Sequence, residues 1–349
     1  MKISVIVPVY NADKYIEKCL DSIIHQTYQD IEVICINGSS EDKSLQILNK
    51  YAEQDGRIKV HTKPNEGVSL SRNRGIDLAE GEYIMFVDAD DWIEEETCET
   101  VLQEMEQSQA DVVMWSYIRE FGETSLPKKI FPQERIIFEG EEVQKRLHRR
   151  FIGLVGEEMA QVENADALCP VWGKMYRRSI IEKCQIRFAD IREIGTYEDG
   201  FFNLEYFAYA KKAVFIDRCL YHYRKDNQNS ITSKYKAKLF QQWLELFGRM
   251  RRYIEERELP MEYRIALNNR ICLSVLGQGL NILESPKGFW EKKRELKQII
   301  MHTAYRKAYR EFALKYFPIH WKCFYGCAKK GWAAGVYVLL VCIRKMIGK

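Results

Sequence analysis

The sequence predicts an α/β fold built on a doubly wound, mostly parallel sheet, followed by a helical region. Short β-branched runs alternate with helical patterns through the first 118 residues, an order typical of parallel sheets. Beyond Tyr235 the pattern is helical, without a strong strand. The chain of 349 residues is also longer than a usual single domain. We therefore predict one domain at 1–233 and a helical region at 234–349.

The β-rich runs predict five strands in the first part of the chain, at Ile3–Val9, Ile31–Ile36, Ile58–His61, Tyr83–Val87 and Asp111–Tyr117. Apolar residues between Tyr15 and Ile24 recur at spacings of three and four, which predicts an amphipathic helix. From Arg119 to Pro170 the pattern loosens, and we interpret this segment as insertion and connection. Regular patterns return at Trp172 and at Glu198, where a helix is predicted to begin.

The charge is distributed unevenly along the chain. Residues 235–349 contain 23 lysines and arginines against 9 acidic residues, whereas residues 1–234 contain 30 against 41. A basic tail on an acidic domain favours a polyanionic partner, either nucleic acid or an anionic membrane face. No nucleic-acid recognition motif is visible, so we expect no nucleic-acid partner.

Targeting and cysteine patterns favour a cytoplasmic protein. The N-terminal run at Lys2–Pro8 is too short and too β-branched for a secretory signal. The uncharged apolar stretch at Trp332–Ile343 is too short to span a bilayer. Ten scattered cysteines form no CxxC pair, so we expect reduced and mostly buried thiols.

The motif with the most chemical content is Asp88-Ala89-Asp90-Asp91, directly after the apolar run at Tyr83–Val87. Ligands of α/β proteins bind at the carboxyl ends of strands, and divalent cations in nucleotide sites take one or two carboxylates together with phosphates. The alternative is an acidic turn in which Asp91 caps a helix beginning near Ile93 or Glu94.

Two other strands end in polar and turn residues that we predict at the same edge of the sheet. The first leads into Pro8, Tyr10 and Asn11, and the second into Asn37-Gly38-Ser39-Ser40-Glu41-Asp42. Such residues can hold a base and a ribose, and the alternative is ordinary loop and helix-cap chemistry.

A third segment carries Arg72 and Arg74 on a helix that opens after Gly67. Arg72 could stack on a base, bond to it or pair with a phosphate, and the alternative is a pair of solvated arginines. No GxGxxG motif follows a strand and no GxxxxGK[ST] motif is present, so the standard dinucleotide and P-loop fingerprints are missing.

Together these segments resemble the family 2 glycosyltransferases over roughly residues 1–233. The resemblance rests on four motifs in the correct order, Val5–Asn11, Ser71–Ile76, Asp88–Asp91 and Tyr197–Asp199. It implies a GT-A fold and an inverting, metal-dependent transfer of a sugar from a nucleotide donor, most simply a UDP-sugar, to a saccharide or lipid-linked saccharide in surface-polysaccharide synthesis.

The resemblance also implies residue roles. Asp90 would bind Mn²⁺ or Mg²⁺ on the donor diphosphate, and Asp88 would lie near the ribose. Asp199 would be the catalytic base. The full set of predicted donor-binding residues is Pro8, Tyr10, Asn37, Arg72, Asp88, Ala89 and Asp90.

Two features qualify this assignment. Adjacent residues in the first turn of a helix point about 100° apart, so we expect only one of Glu198 and Asp199 to face a given ligand. Many relatives also read Asp-Asp-Gly-Ser-Thr-Asp where this chain has the segment that begins at Asn37. The Asn37 carbonyl could still accept a hydrogen bond from uracil, and the change motivates a second hypothesis, a non-catalytic scaffold that binds nucleotide sugars.

Other positions match the family more loosely. Trp172, Lys174 and Glu198 are predicted on the acceptor side, and Arg224 with Ser230 resembles a segment that closes over the diphosphate. His222 lies between two tyrosines, a pattern that indicates a partly buried polar side chain on a strand rather than a metal ligand. The basic, aromatic tail after Lys315 predicts either an interfacial contact with an anionic membrane or a helix that packs on the catalytic domain.

Overall fold

The computed structural model describes residues 2–226 and 235–346. The predicted domain boundary near Ser233 lies outside these residues, as does Ser230. The described chain divides into two compact units. One comprises Met1–Phe151, Asp166–Arg192 and Tyr197–Asn227, and the other comprises Ile152–Ala165, Glu193–Thr196 and Gln228–Lys349. The second unit thus includes two short segments from earlier in the sequence.

The first unit contains a ten-stranded sheet, and its strands are β1 Ile3–Val9, β2 Ile31–Asn37, β3 Ile58–Thr62, β4 Tyr83–Phe86, β5 Trp92–Ile93, β6 Val112–Phe121, β7 Thr124–Lys128, β8 Arg135–Glu139, β9 Lys174–Arg177 and β10 Lys212–Arg224. The spatial order is β3-β2-β1-β4-β9-β6-β10-β5, with β7 on β6 and β8 on β10. Strands β1 to β4 run parallel, and β6 runs parallel to β10. The predicted α/β class with a mostly parallel central sheet is confirmed.

In the described residues, eight α-helices occur between these strands, at α1 Ile16–Ile24, α2 Ser44–Gln54, α3 Val68–Leu78, α4 Thr97–Ser108, α5 Arg149–Ile152, α6 Arg178–Lys183, α7 Ile191–Ile194 and α8 Glu198–Phe207. A π-helix at Val143–His148 and a 3-10 helix at Gly156–Asn164 lie between β8 and β9. Helix α1 buries one face through Ile16, Cys19, Leu20 and Ile23, as its periodicity predicts. Helix α3 lies so close to β1 that a Cβ added at Gly75 would be 2.3 Å from Cγ2 of Ile6. This close approach positions the arginine one turn earlier, Arg72.

The segment predicted as insertion and connection contains two strands that the sequence pattern did not indicate. Strand β7 forms a hairpin with β6 through Gly122, whose φ is +62°, a conformation that glycine adopts readily. Strand β8 pairs with the first half of β10. Both strands are largely exposed. Strand β7 carries no apolar run, and β8 carries only a short one, Ile136–Phe138, of which Phe138 is buried.

The second unit is helical in its described residues beyond 235, as predicted. Its helices are α9 Leu239–Glu256, α10 Met261–Leu273, α11 Val275–Glu284, α12 Phe289–Met301, α13 Thr303–Glu311, α14 Ile319–Lys329 and α15 Ala333–Met346. Within the described ranges, no helix combines the length and the hydropathy needed to cross a membrane. All ten cysteines are free thiols, and five of them are buried.

Candidate active site

The acidic motif forms a turn at the carboxyl end of β4, where the backbone N–H of Asp91 donates to the carbonyl of Asp88. The alternative interpretation, in which Asp91 caps a helix beginning near Ile93 or Glu94, is wrong. The short strand β5 follows this turn, and the next helix, α4, begins only at Thr97. The buried Asp91 carboxylate instead accepts hydrogen bonds from two groups on β10, the Tyr221 hydroxyl at 2.7 Å and the Arg224 backbone N–H at 2.8 Å.

Arg72 lies at the centre of the site and is only 3% exposed. Its Nη2 donates to Oδ1 of Asp88 at 2.8 Å, and its Nη1 donates to Oδ1 of Asp199 at 2.6 Å. Although burial works against its charge, Asp199 and Asp88 raise the pKa of Arg72 further above its usual value, so the guanidinium stays charged. Both Nη atoms donate to carboxylates. Arg74, by contrast, is the solvated arginine of the alternative interpretation.

Glu198 and Asp199 begin α8, immediately after Tyr197 with a φ of +71°. The Tyr197 hydroxyl donates to the Phe151 carbonyl at 2.7 Å, which holds this entry into the helix. The Val171 backbone N–H donates to Oδ2 of Asp199 at 3.2 Å. Each oxygen of the Asp199 carboxylate therefore accepts one hydrogen bond and retains a second lone pair.

Glu198 also faces the same guanidinium, with its Oε1 lying 3.8 Å from Nη1 of Arg72. The expectation that neighbouring Glu198 and Asp199 face different ligands is therefore wrong for Arg72. The additional methylene of glutamate allows its carboxylate to reach back toward the group that Asp199 contacts. Arg72 thus has three carboxylates around it, from Asp88, Glu198 and Asp199.

Burial shifts the acid–base properties of both α8 carboxylates. Desolvation raises the pKa of Asp199, partly opposed by Arg72. Desolvation and the neighbouring Asp199 charge raise the pKa of Glu198 to about 7, again opposed by Arg72. A carboxylate is a better proton acceptor when its pKa lies near the working pH, so this end of α8 is suited to general-base chemistry.

The residues predicted on the acceptor side lie beside this cluster. Trp172 stacks on Tyr221 with ring centroids 4.5 Å apart, and its chain neighbour Val171 is the residue that donates to Asp199. Lys174 is buried and donates to the Pro170 carbonyl. Burial lowers the pKa of the Lys174 ammonium to about 8.

The other predicted donor-binding residues differ in how accessible they are. Tyr10 is about half exposed, whereas Pro8 and Ala89 are buried. Asn37 is fully buried. Its side-chain oxygen accepts from the backbone N–H and the hydroxyl of Ser40, and its amide donates to Thr62. Both lone pairs of this oxygen are occupied, so the loop chemistry given as the alternative describes Asn37 in this structure.

Sequence reasoning missed the contributions of Asp91 and Tyr221 to the site. It associated Arg224 with the diphosphate but did not predict the contacts of Arg224 with Asp90 and Asp91. Alternation along Tyr221–Arg224 predicts the strand and the partly buried position of His222, and the structure confirms both. The ring nitrogens of His222 lie 2.7 Å from the carboxylates of Glu94 and Glu120. The same alternation places Tyr221 on the face of the strand opposite His222. Nothing in the sequence around Tyr221 identifies Asp91 as its partner.

A divalent cation would find carboxylate oxygens at the turn after β4. Among the described residues, no cluster of three or more His, Cys, Asp or Glu side chains could hold a metal ion. Cations in nucleotide sites do not need such a cluster, because phosphates and waters complete the coordination around one or two carboxylates. The Asp90 carboxylate at this turn therefore fits a cation that is bound together with a diphosphate.

Comparison with known proteins agrees with this architecture. The model of "Glycosyl transferase family 2" matches residues 4–184. EpsH of Bacillus subtilis (strain 168) is 33% identical over 78% of this chain and 76% of its own length. The glycosyltransferase GlyA of Streptococcus pneumoniae serotype 4 is 31% identical over 85% of this chain, which spans 42% of GlyA.

Among solved structures, the crystal structure of S. aureus TarS in complex with UDP-GlcNAc superposes on this chain with a TM-score of 0.69 and 21% sequence identity. The match covers 99% of this chain and 92% of that one. At this identity the likeness concerns the fold, and it supports the expected GT-A architecture. The family match and the relatedness to EpsH show that the chain belongs to glycosyltransferase family 2 and is a glycosyltransferase.

Proposed function

We propose that this protein is an inverting, metal-dependent glycosyltransferase that moves a sugar from a nucleotide donor to a hydroxyl group of a saccharide or lipid-linked saccharide in surface-polysaccharide synthesis. The observation that carries the proposal is the pairing of Arg72 with both Asp88 and Asp199. Arg72 thereby connects two parts of the site. One is the acidic turn, which is expected to bind the donor, and the other is the Asp199 carboxylate, which is expected to accept a proton.

On the donor side, Asp90 would bind Mn²⁺ or Mg²⁺ and Asp88 would lie near the ribose. The cation would neutralise charge that develops on the leaving diphosphate. A UDP-sugar is the favoured donor because TarS, which shares the fold, was crystallised with UDP-GlcNAc. Pro8, Tyr10 and Ala89 would border the nucleotide. A contact from Asn37 to the base would require Ser40 to release the Asn37 carbonyl.

On the acceptor side, Asp199 would take the proton of the attacking hydroxyl. The hydroxyl oxygen forms a bond to the anomeric carbon as the bond from that carbon to the diphosphate oxygen breaks, so one displacement inverts the configuration. Arg72 and Val171 hold the two Asp199 oxygens, which orients the carboxylate before the acceptor binds. Trp172, Lys174 and Glu198 would border the acceptor.

Calorimetric titration with nucleotides tests the donor site. UDP, dTDP and GDP would each be added with and without Mn²⁺ to the wild type and to Asp90→Ala. We expect UDP binding that depends on Mn²⁺ and is lost in Asp90→Ala, with wild-type thermal stability in the variant. Absence of binding for every nucleotide would contradict the donor site.

A second candidate function is a non-catalytic scaffold that binds nucleotide sugars in an assembly complex. The buried, internally bonded Asn37 favours it, because a residue expected to meet the base faces Ser40 instead. A scaffold would bind UDP with Mn²⁺ but would not release UDP from any UDP-sugar, and Asp199→Asn would not change its behaviour. Measurement of UDP release therefore separates the two functions.

The proposal places the enzyme in the cytoplasm, in peripheral contact with an anionic membrane through its C-terminal helices. Residues 313–346 contain six lysines and arginines and no acidic residue. Ile319 on α14 is 77% exposed, and Val338 on α15 and Trp332 are each 60% exposed. Exposed apolar side chains among basic residues suit the interface of an anionic bilayer.

Co-sedimentation with vesicles tests this contact. We expect the full chain to sediment with phosphatidylglycerol vesicles and to stay in solution with phosphatidylcholine vesicles. Ile319→Glu should weaken sedimentation, whereas Met261→Glu should not, since Met261 is an exposed apolar residue on α10. Equal sedimentation of both variants would contradict a contact through α14.

A further inference from the structure

Tyr221 connects β10 to the acidic turn and is fully buried. Its hydroxyl donates to Oδ2 of Asp91 at 2.7 Å and accepts from the backbone N–H of Asp88 at 3.2 Å. Burial raises the pKa of this hydroxyl well above its usual range, so the proton needed for the bond to Asp91 is retained. A single side-chain oxygen therefore binds both ends of the Asp88–Asp91 turn.

Arg224, three residues further along β10, binds the same turn. Its backbone N–H donates to Oδ1 of Asp91 at 2.8 Å, and its Nε donates to the carbonyl of Asp90 at 3.0 Å. Together with Tyr221, these contacts use both carboxylate oxygens of Asp91 and fix the backbone on either side of Asp90. The three aspartates of the turn repel one another, and donors from β10 oppose that repulsion.

The Tyr221 ring packs on the segment that orients Asp199, the proposed catalytic base. Its ring plane lies 8° from that of Trp172, with centroids 4.5 Å apart. Trp172 follows Val171, whose N–H donates to Asp199. Tyr221 therefore contacts the acidic turn through its hydroxyl and packs through its ring on the segment that orients Asp199.

We propose that Tyr221 is a positioning residue that holds the Asp88–Asp91 turn in the conformation that binds the nucleotide donor together with its cation. The inference rests on the proposed function of the same site. A preorganised turn does not have to become ordered when the ligand binds, so affinity is higher than for a mobile one. Loss of the Tyr221 hydroxyl should therefore weaken binding even though Asp88 and Asp90 remain.

The test compares Tyr221→Phe with Tyr223→Phe. The first variant keeps the ring on Trp172 and removes only the hydroxyl. The second is a matched control, because Tyr223 also packs on Trp172 and its hydroxyl accepts from Lys225 rather than from the turn. Calorimetry with UDP and Mn²⁺, and with UDP alone, measures the equilibrium affinity of folded protein without requiring turnover.

We expect Tyr221→Phe to weaken Mn²⁺-dependent UDP affinity by about tenfold or more, the range found when groups that orient metal ligands are removed, and Tyr223→Phe to retain wild-type affinity. In a UDP-release assay, Tyr221→Phe should raise KM for the donor and the Mn²⁺ concentration for half activation more than it lowers kcat. A merely structural role would lower the folded fraction and hence kcat, without changing KM.

Unchanged affinity in Tyr221→Phe, or equal loss in both variants, would overturn the inference. Should Tyr221→Phe fail to fold, Asp91→Asn applies the same test from the other side. Its amide has a single acceptor oxygen for the two donors of β10, so it loses the hydrogen bond from either Tyr221 or Arg224. Full affinity in Asp91→Asn would likewise overturn it. Absence of Mn²⁺-dependent UDP binding in the wild type would instead contradict the proposed function.

Discussion

Arg72 donates a 2.6 Å hydrogen bond to Asp199, a residue 127 positions further along the chain. The same guanidinium donates to Asp88 at 2.8 Å, so helix α3 connects the end of strand β4 with the start of helix α8. The arrangement places a positive charge between carboxylates that would otherwise repel one another. The geometry of the site therefore depends on one buried side chain.

Replacement of Arg72 should affect both stability and activity. Arg72→Met leaves Asp88, Glu198 and Asp199 without their cation, and removal of one partner from a buried ion pair destabilises a protein by about 3–5 kcal/mol. Arg72→Lys should restore part of the stability but little activity, because an ammonium lacks the planar fork that reaches two carboxylates. Denaturant unfolding and the rate of UDP release measure the two effects.

Arg74→Met is the matched control, since Arg74 lies on the same helix and is exposed. Its stability and rate should remain close to those of the wild type. Full activity in Arg72→Met would contradict the role assigned to the bridge.

Stability should depend on pH through Glu198. Its pKa rises from 4.5 to about 7 on folding, so the folded state binds the proton more tightly than the unfolded state does. The resulting contribution to stability is complete below pH 4.5 and is lost as pH rises through 7. The free energy of unfolding of Glu198→Gln, relative to that of the wild type, should therefore increase from pH 5 to pH 8.

Urea unfolding at the two pH values measures this difference. Glu53→Gln, at an exposed position on α2, reports the effect of losing a surface carboxylate. A stability difference between Glu198→Gln and the wild type that is the same at pH 5 and pH 8 would exclude the raised Glu198 pKa as the cause.

Gly75 is expected to tolerate no side chain. A Cβ there would lie 2.3 Å from Cγ2 of Ile6, so Gly75→Ala must displace α3 from β1. Such overpacking costs about 1–3 kcal/mol and would also move Arg72. Introducing Gly75→Ala into an Ile6→Ala background should cost less than in the wild type, because the clashing methyl group is absent. Additive losses in a double-mutant cycle of unfolding free energies would contradict the steric explanation.

Sequence reasoning located the fold well where local pattern and burial agree. Strand β1 is predicted residue for residue, and β2, β3 and β4 begin where predicted. Strands β1, β2 and β4 are buried along their whole length, whereas β3 buries only Ile58. Strand β7 escaped detection because it is exposed and is held by its hydrogen bonds to β6. Strand β8 escaped because its apolar run is short and mostly exposed, although Phe138 within it is fully buried. Local pattern identifies a buried strand better than an exposed one.

The site was predictable only in part, for a related reason. Motifs indicate Arg72, Asp88 and Asp199, but not that Arg72 bonds to both carboxylates. Tyr221 reaches Asp91 across 130 positions, and spacing in the sequence carries no information about such a contact. Asn37 likewise matches the position of a base-binding residue, while its bonds to Ser40 depend on the exact course of the loop.

The role of Asp199 as the base is tested most directly by the rate at which Asp199→Asn releases UDP from UDP-sugars, measured beside its affinity for UDP with Mn²⁺. We predict a rate per folded molecule at least about 100-fold below wild type, as expected for loss of a general base, with unchanged UDP affinity. Glu198→Gln serves as the control and should retain more activity. Wild-type release by Asp199→Asn, or a larger loss in Glu198→Gln, would contradict the assignment of Asp199 as the base.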